Sequence, residues 1–121
     1  MSEEAATYQP SLFVARAADP VTRAFDALRR DPLGFKAVTE SWLSENRHVW
    51  RQFFEKTEAL RRAGRHHYGA KAITEHMRYE TAIRSAEITF KLNNNHVSGL
   101  ARLYNAVTGS EFFETRDQVV A

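Results

Sequence analysis

Cysteine is absent from this chain of 121 residues. The protein therefore has no disulfide framework, no thiolate nucleophile and no cysteine-based zinc site. Long apolar runs are missing too, and none approaches the roughly 20 residues that a membrane-spanning helix needs. The first residues, Met1 to Glu4, are acidic and lack the basic start of a signal peptide. We expect a cytoplasmic protein of a bacterium or its virus, without membrane contact.

Motifs of catalysis are also missing. The sequence contains no HExxH, no GxSxG and no glycine-rich phosphate loop. None of the candidate acid–base carboxylates stands at a recognisable spacing from a nucleophile and a base; the candidates are Glu75, Glu80, Glu87 and Glu114. His76 and Glu80 stand four residues apart, as a metal-ligand pair does, but His76 also belongs to an apolar stripe, where a core histidine is more usual. We expect no enzyme, no metal and no cofactor.

The composition suits one folded domain. Hydrophobic residues make up 43% of the chain and charged residues 26%, so the body is globular rather than disordered. Eight Phe, four Tyr and two Trp supply bulky side chains for one core. Residues 1–18 show no clear period. We predict an N-terminal tail over 1–18, a single helical domain over 19–116 and a C-terminal tail over 117–121.

Apolar periodicity predicts five helices. Asp19-Pro20 and Asp31-Pro32 each join an N-cap acceptor to a proline at the first helical position, so they predict the starts of the first two helices. The third helix is predicted over 46–63 and Gly64 ends it.

The last two helices follow a basic connector. The fourth is predicted over 70–84, and its expected apolar stripe consists of Ala72, His76, Tyr79 and Ile83, with Ile73 and Met77 beside it. The fifth follows the Asn93-Asn94-Asn95 turn, whose asparagines are expected to cap it, and ends at Gly109. An alternative role for the three asparagines is contact of a side-chain amide with a base edge or a phosphate.

Alternation of apolar and polar residues over 87–92 is typical of a half-buried strand. Residues 112–115 are a candidate partner strand. The predicted fold is mainly α with a small β element, most like a winged helix-turn-helix of about five helices and a short strand pair. An all-α bundle is the alternative, and it follows if 87–92 is only a linker.

Five short motifs are distinctive within residues 46–116: Tyr68-Gly-Ala-Lys-Ala-Ile, Arg78-Tyr-Glu, Phe90-Lys-Leu-Asn-Asn-Asn, Ala101-Arg-Leu and Phe113-Glu-Thr-Arg. Through these motifs the chain resembles a family of small bacterial and phage proteins that has no established activity. The resemblance implies a helix-turn-helix-like core and a link with mobile elements.

Positive charge gathers where the third and fourth helices meet. Helix, turn and helix with cations at the turn is the arrangement of proteins that bind double-stranded DNA. We expect a small regulator or phage accessory protein whose contacts with nucleic acid come from Arg61, Arg62, Arg65, His66, His67, Lys71, Thr74, Glu75, Arg78 and Lys91. In this hypothesis Lys71, Thr74, Glu75 and Arg78 face the groove. The alternative is a solvated helix end whose arginines complement the helix dipole.

A second functional hypothesis is a small inhibitor or adaptor of mobile-element origin that binds a larger host protein. The modest net charge of +2 and the acidic N-terminus favour it. The spacing of Trp42, Trp50, Phe53 and Phe54 is typical of residues buried in the core. Trp50 flanks the main stripe, so it is the candidate for an exposed partner-binding anchor. The sequence determines neither the partner nor the oligomeric state. A palindromic DNA site would require a dimer, and we expect no heptad seam that would form one.

Overall fold

The computed structural model describes residues 19–65, 68–84 and 92–115. Five helices make up most of these residues: α1 Pro20–Arg30, α2 Glu40–Glu45, α3 Arg47–Arg62, α4 Ala70–Arg84 and α5 Asn94–Thr108. The expectation of a mainly helical protein is confirmed. The predicted tails at 1–18 and 117–121 lie outside the described residues. None of the described helices has the length and apolar character needed to cross a bilayer.

Helix α1 begins as predicted. The Asp19 carboxylate accepts a hydrogen bond from the Val21 amide at 2.9 Å, and Pro20 occupies the first helical turn. The same carboxylate binds Arg51 of α3 at 2.6 Å. The hydrogen bond from Arg51 lowers the pKa of Asp19. One carboxylate therefore caps α1 and ties its start to α3.

The second predicted helix start is wrong. Asp31-Pro32 leads into a turn over 32–37, in which Lys36 has the positive φ of 55° that ends regular helix geometry. Helix α2 begins only at Glu40, where the Thr39 hydroxyl accepts from the Trp42 amide at 3.1 Å. Phe35 and Val38 still reach the core, but they do so from the turn.

Helices α3 and α5 end at the predicted glycines. Beyond α3, Arg65 N–H donates to the Leu60 carbonyl and Gly64 N–H donates to the Arg61 carbonyl, with Gly64 at φ 88°. These two hydrogen bonds satisfy the last carbonyl groups of the helix, and the arrangement needs a residue in the left-handed conformation. Gly109 has φ 70° and ends α5 in a similar conformation.

The start of α5 is a capping box. The Asn93 side chain accepts from the His96 amide at 2.9 Å, while His96 Nδ1 accepts from the Asn93 amide at 3.2 Å. The His96 ring also stacks on Trp42, with 5.1 Å between ring centroids. Burial lowers the pKa of His96. Asparagine at this turn therefore acts as the predicted cap.

The predicted β element is not present in the described residues. The predicted strand over 87–92 falls mostly on residues 85–91, which lie outside them. Residues 112–115 form an irregular segment rather than a strand. There the Asn105 side chain holds the Phe113 backbone, donating to its carbonyl at 2.8 Å and accepting from its amide at 3.2 Å. The all-α alternative fits the observed architecture, and the winged helix does not.

The core lies between α1, α3 and α5. Phe53 stacks on Phe113 with 5.4 Å between centroids, and Phe54 packs on Tyr104 at 5.6 Å. Gly99 lets α5 approach the 32–37 turn closely, because a Cβ added there would lie 2.2 Å from the Phe35 carbonyl oxygen. Helices α1 and α5 pack together, and Arg23 of α1 donates a hydrogen bond to the Val107 carbonyl of α5 at 3.2 Å.

Candidate interaction surface

The connection between α3 and α4 spans residues 63–69. A DNA-binding helix-turn-helix joins its helices by a turn of only about 3–4 residues. The two helices pack against each other here, but through a longer connector than that motif uses. Residues 66–67, which include the predicted nucleic-acid contacts His66 and His67, lie outside the described residues, as does Lys91.

Four predicted cations lie at the surface of this corner: Arg62, Arg65, Lys71 and Arg78. The Arg62 side chain is 72% exposed and lies 3.9 Å from Glu58. Glu75 is exposed between Lys71 and Arg78 on the same side of α4. The exposed charge on α4 is therefore of mixed sign.

Arg61 is also exposed, but its guanidinium is held by partners within the protein. Its guanidinium donates to the Tyr104 hydroxyl at 2.9 Å and lies 3.3 Å from Glu58. The Tyr104 hydroxyl in turn donates to Glu58 at 2.5 Å. Burial raises the pKa of Tyr104 to about 12. Arg61 thus joins α3 to α5, and binding a phosphate would require it to leave both partners.

Two predicted site residues are buried. Thr74 is 2% exposed and its hydroxyl donates to the Lys71 carbonyl at 2.9 Å, so its expected presentation to a groove is wrong. Trp50 is fully buried and its indole N–H donates to the Pro20 carbonyl at 2.9 Å. The expectation of an exposed Trp50 anchor is wrong as well, because its one polar atom has a partner inside the protein.

Helix α4 buries Ile73 and Met77, which were expected beside its stripe, but not the stripe itself. Ile73, Thr74, Met77 and Thr81 point into the protein. The four residues of the expected stripe lie at the surface instead, and we call them the α4 stripe: Ala72, His76, Tyr79 and Ile83. Tyr79 is 65% exposed and Ile83 is 66% exposed. The sequence therefore identified an apolar stripe correctly and assigned it to the wrong side.

A shallow groove runs beside the α4 stripe, between α3 and α4. It has a volume of about 340 Å³, and its lining residues are Lys56, Ala59, Leu60, Tyr68, Ala72, Ile73 and His76. The lining is mostly apolar, and the exposed Tyr68 stands at its end. The groove and the stripe share Ala72 and His76, so they form one continuous surface.

Charged groups order one edge of this surface. Lys56 Nζ lies 2.6 Å from Glu80 Oε1, and His76 Nε2 lies 3.1 Å from Glu80 Oε2. The hydrogen bond from Lys56 is the main cause of the lowered pKa of Glu80. His76 is therefore held in place within the stripe by a carboxylate on its own helix.

Within the described part of the chain, no group of three or more His, Asp and Glu side chains is arranged to hold a metal ion. The polar side chains around Glu58 and around Glu80 form ion pairs and hydrogen bonds, which include contacts between helices. The expectation of a non-enzymatic protein without a cofactor stays a prediction.

No family model, curated protein or solved structure matches this chain.

Proposed function

We propose that the chain is a non-enzymatic protein-binding module and that its partner docks on the α4 stripe. One observation carries the proposal. Four large hydrophobic side chains are exposed among the described residues, and three of them, Tyr68, Tyr79 and Ile83, belong to α4 or the segment that leads into it. Scattered single hydrophobics are ordinary, but apolar residues gathered on one surface are typical of interaction sites.

The orientation of α4 strengthens this proposal. The helix directs two threonines, Thr74 and Thr81, into the protein and keeps Tyr79 and Ile83 in solvent. Burying a large apolar side chain stabilises a protein by roughly 1.5–3 kcal/mol. The isolated chain does not gain this from Tyr79 and Ile83, whereas a complex that covers them does.

Charge around the stripe fits a protein better than a nucleic acid. Lys71 and Arg78 flank the stripe, but Glu75 lies between them and Glu80 borders the other edge. A nucleic-acid surface needs a continuous positive track to follow the phosphates. Mixed charges around an apolar centre are the anatomy of a protein interface.

Double-stranded DNA is the second candidate. The observation in its favour is the group of exposed cations at the α3–α4 corner, Arg62, Arg65, Lys71 and Arg78. In this role the protein would be the small regulator or mobile-element accessory protein of the sequence hypothesis. Binding would be electrostatic and would weaken log-linearly with salt.

A photoreactive amino acid placed at position 79 tests the proposal. In extracts of the native host it should form one stoichiometric cross-linked product. The same group at position 33 should not, because Leu33 is 92% exposed but lies in the 32–37 turn, away from α4. Equal labelling from both positions would refute the proposal.

A parallel titration of labelled duplex DNA by fluorescence anisotropy separates the two candidates. We expect no salt-dependent binding. Binding that weakens with salt and disappears in Lys71→Glu with Arg78→Glu would instead favour the DNA function.

A further inference from the structure

We infer that the partner on the α4 stripe is a second copy of this chain, with the two α4 helices packed antiparallel. The inference rests on the proposed function, since it names the occupant of the same surface. Three properties of α4 carry it: the spacing of the exposed residues, the fit of their sizes when the helix faces itself, and the placement of charge beside them.

The spacing of the α4 stripe is that of a helix-pairing seam, so the expectation that the chain carries no heptad seam is wrong for the exposed face of α4. Its residues are 72, 76, 79 and 83, separated by four, three and four positions. Apolar residues at alternating spacings of three and four stay on one side of a helix, and they allow side chains to interdigitate with those of a facing helix. The stripe fills nearly the whole length of α4, Ala70–Arg84.

The stripe is complementary to itself in size. In an antiparallel pair whose two-fold axis passes between positions 77 and 78, Ala72 lies opposite Ile83 of the second copy. His76 then lies opposite Tyr79 of the second copy. Each small side chain meets a large one and each ring meets a ring, twice by symmetry.

Length supports the same alignment. With this axis, positions 71–84 of the two helices overlap, a contact of about 21 Å. The axis lies within one residue of the middle of α4. Almost no part of either stripe would remain exposed at an end.

Charge selects the antiparallel direction. In a parallel pair, Glu75 of one copy would face Glu80 of the other on the flanks of the seam, and it would do so twice. In the antiparallel pair Glu75 lies beside Ala82 of the second copy, with Arg78 of that copy within one helical turn. Glu80 of the second copy is level with Glu75 but lies on the opposite flank of the seam. Glu80 remains with Lys56 and His76 of its own chain, at 2.6 and 3.1 Å.

Sedimentation velocity of the full chain over a wide range of concentration tests whether the pair forms. We expect a monomer–dimer equilibrium. Tyr79→Glu should raise the dimer dissociation constant at least about tenfold, because it places a charge in the centre of the seam. Leu33→Glu is the matched control, an equal change at an exposed residue outside α4, and it should leave the equilibrium unchanged.

Cysteine pairs test the register, and the cysteine-free chain gives no background. Ala72→Cys and Ile83→Cys, mixed and oxidised, should form a covalent dimer. Each variant alone should not, since position 72 and its symmetry copy are separated by about 16 Å along the helix axis. Disulfides form only when Cα atoms lie within about 7 Å. A parallel pair would give the opposite result, with each variant cross-linking to itself.

A chain that remains monomeric overturns the inference. So does a dimer that Tyr79→Glu leaves intact, or cross-linking of Ala72→Cys with itself. Failure of the inference is distinct from failure of the proposed function: a monomer that still gives a single cross-linked product from position 79, with a different protein, retains the function and changes the partner.

Discussion

Gly99→Ala is the sharpest test of the packing between α5 and the 32–37 turn. Glycine to alanine inside a helix ordinarily stabilises a protein by about 1 kcal/mol. Here the added Cβ would lie 2.2 Å from the Phe35 carbonyl oxygen and 2.8 Å from Val38 Cγ2. The first obstacle is backbone, so the turn has to move. Overpacking costs about 1–3 kcal/mol, and with a backbone obstacle we expect the upper end.

The expected balance is a net loss of about 2 kcal/mol in the free energy of unfolding, which lowers the thermal midpoint by about 8 °C. Urea unfolding followed by circular dichroism measures it. Ala106→Gly, at an exposed position of the same helix, calibrates helix propensity alone and should cost about 1 kcal/mol. A Gly99→Ala protein that is more stable than the parent would refute the close approach.

Three further predictions concern polar groups. Trp50→Phe should destabilise the fold by at least about 1–2 kcal/mol in urea, because the hydrogen bond from the indole N–H to the Pro20 carbonyl is lost and the smaller ring leaves a cavity in the core. The contribution of His96 to stability should be complete above the ordinary histidine pKa of 6.5 and should fall as the pH drops below it, because burial lowers the pKa of His96 in the fold and the unfolded chain therefore binds the proton first. His96→Gln, which keeps a capping acceptor, should flatten this slope in pH-dependent unfolding. Ultraviolet titration should show one tyrosine that ionises near pH 12, and Tyr104→Phe should remove it; a titration unchanged by that substitution would contradict the buried bond to Glu58.

Helix ends were predictable from the sequence because their causes are local. The Asp19 cap, the Asn93 cap, Gly64 and Gly109 each act on backbone groups within a few residues. Asp31-Pro32 has the same local signal and does not start a helix. There, the Phe35 and Val38 side chains reach the core from a segment that packs against Gly99. Gly99 lies far along the chain, so residues next to Asp31-Pro32 do not reveal this contact.

The exposed surface was not predictable in the same way. Helix α4 carries two adjacent apolar stripes, and periodicity alone does not decide which one is buried. The buried stripe includes Thr74. This residue can enter the core because its hydroxyl donates a hydrogen bond to the Lys71 carbonyl. Trp50 is a parallel case, since its N–H bonds to Pro20, 30 positions earlier in the chain. Both contacts are properties of the folded chain.

The packing of α1 on α5 has a consequence for synthesis on the ribosome. Arg23 bonds to Val107, and Phe53 stacks on Phe113, so both ends of the described chain complete the same core. Contacts between distant parts of a chain form late and slow folding. A nascent chain that has not yet released residue 113 cannot close this core, and its apolar surface remains available to chaperones until that residue has left the ribosome.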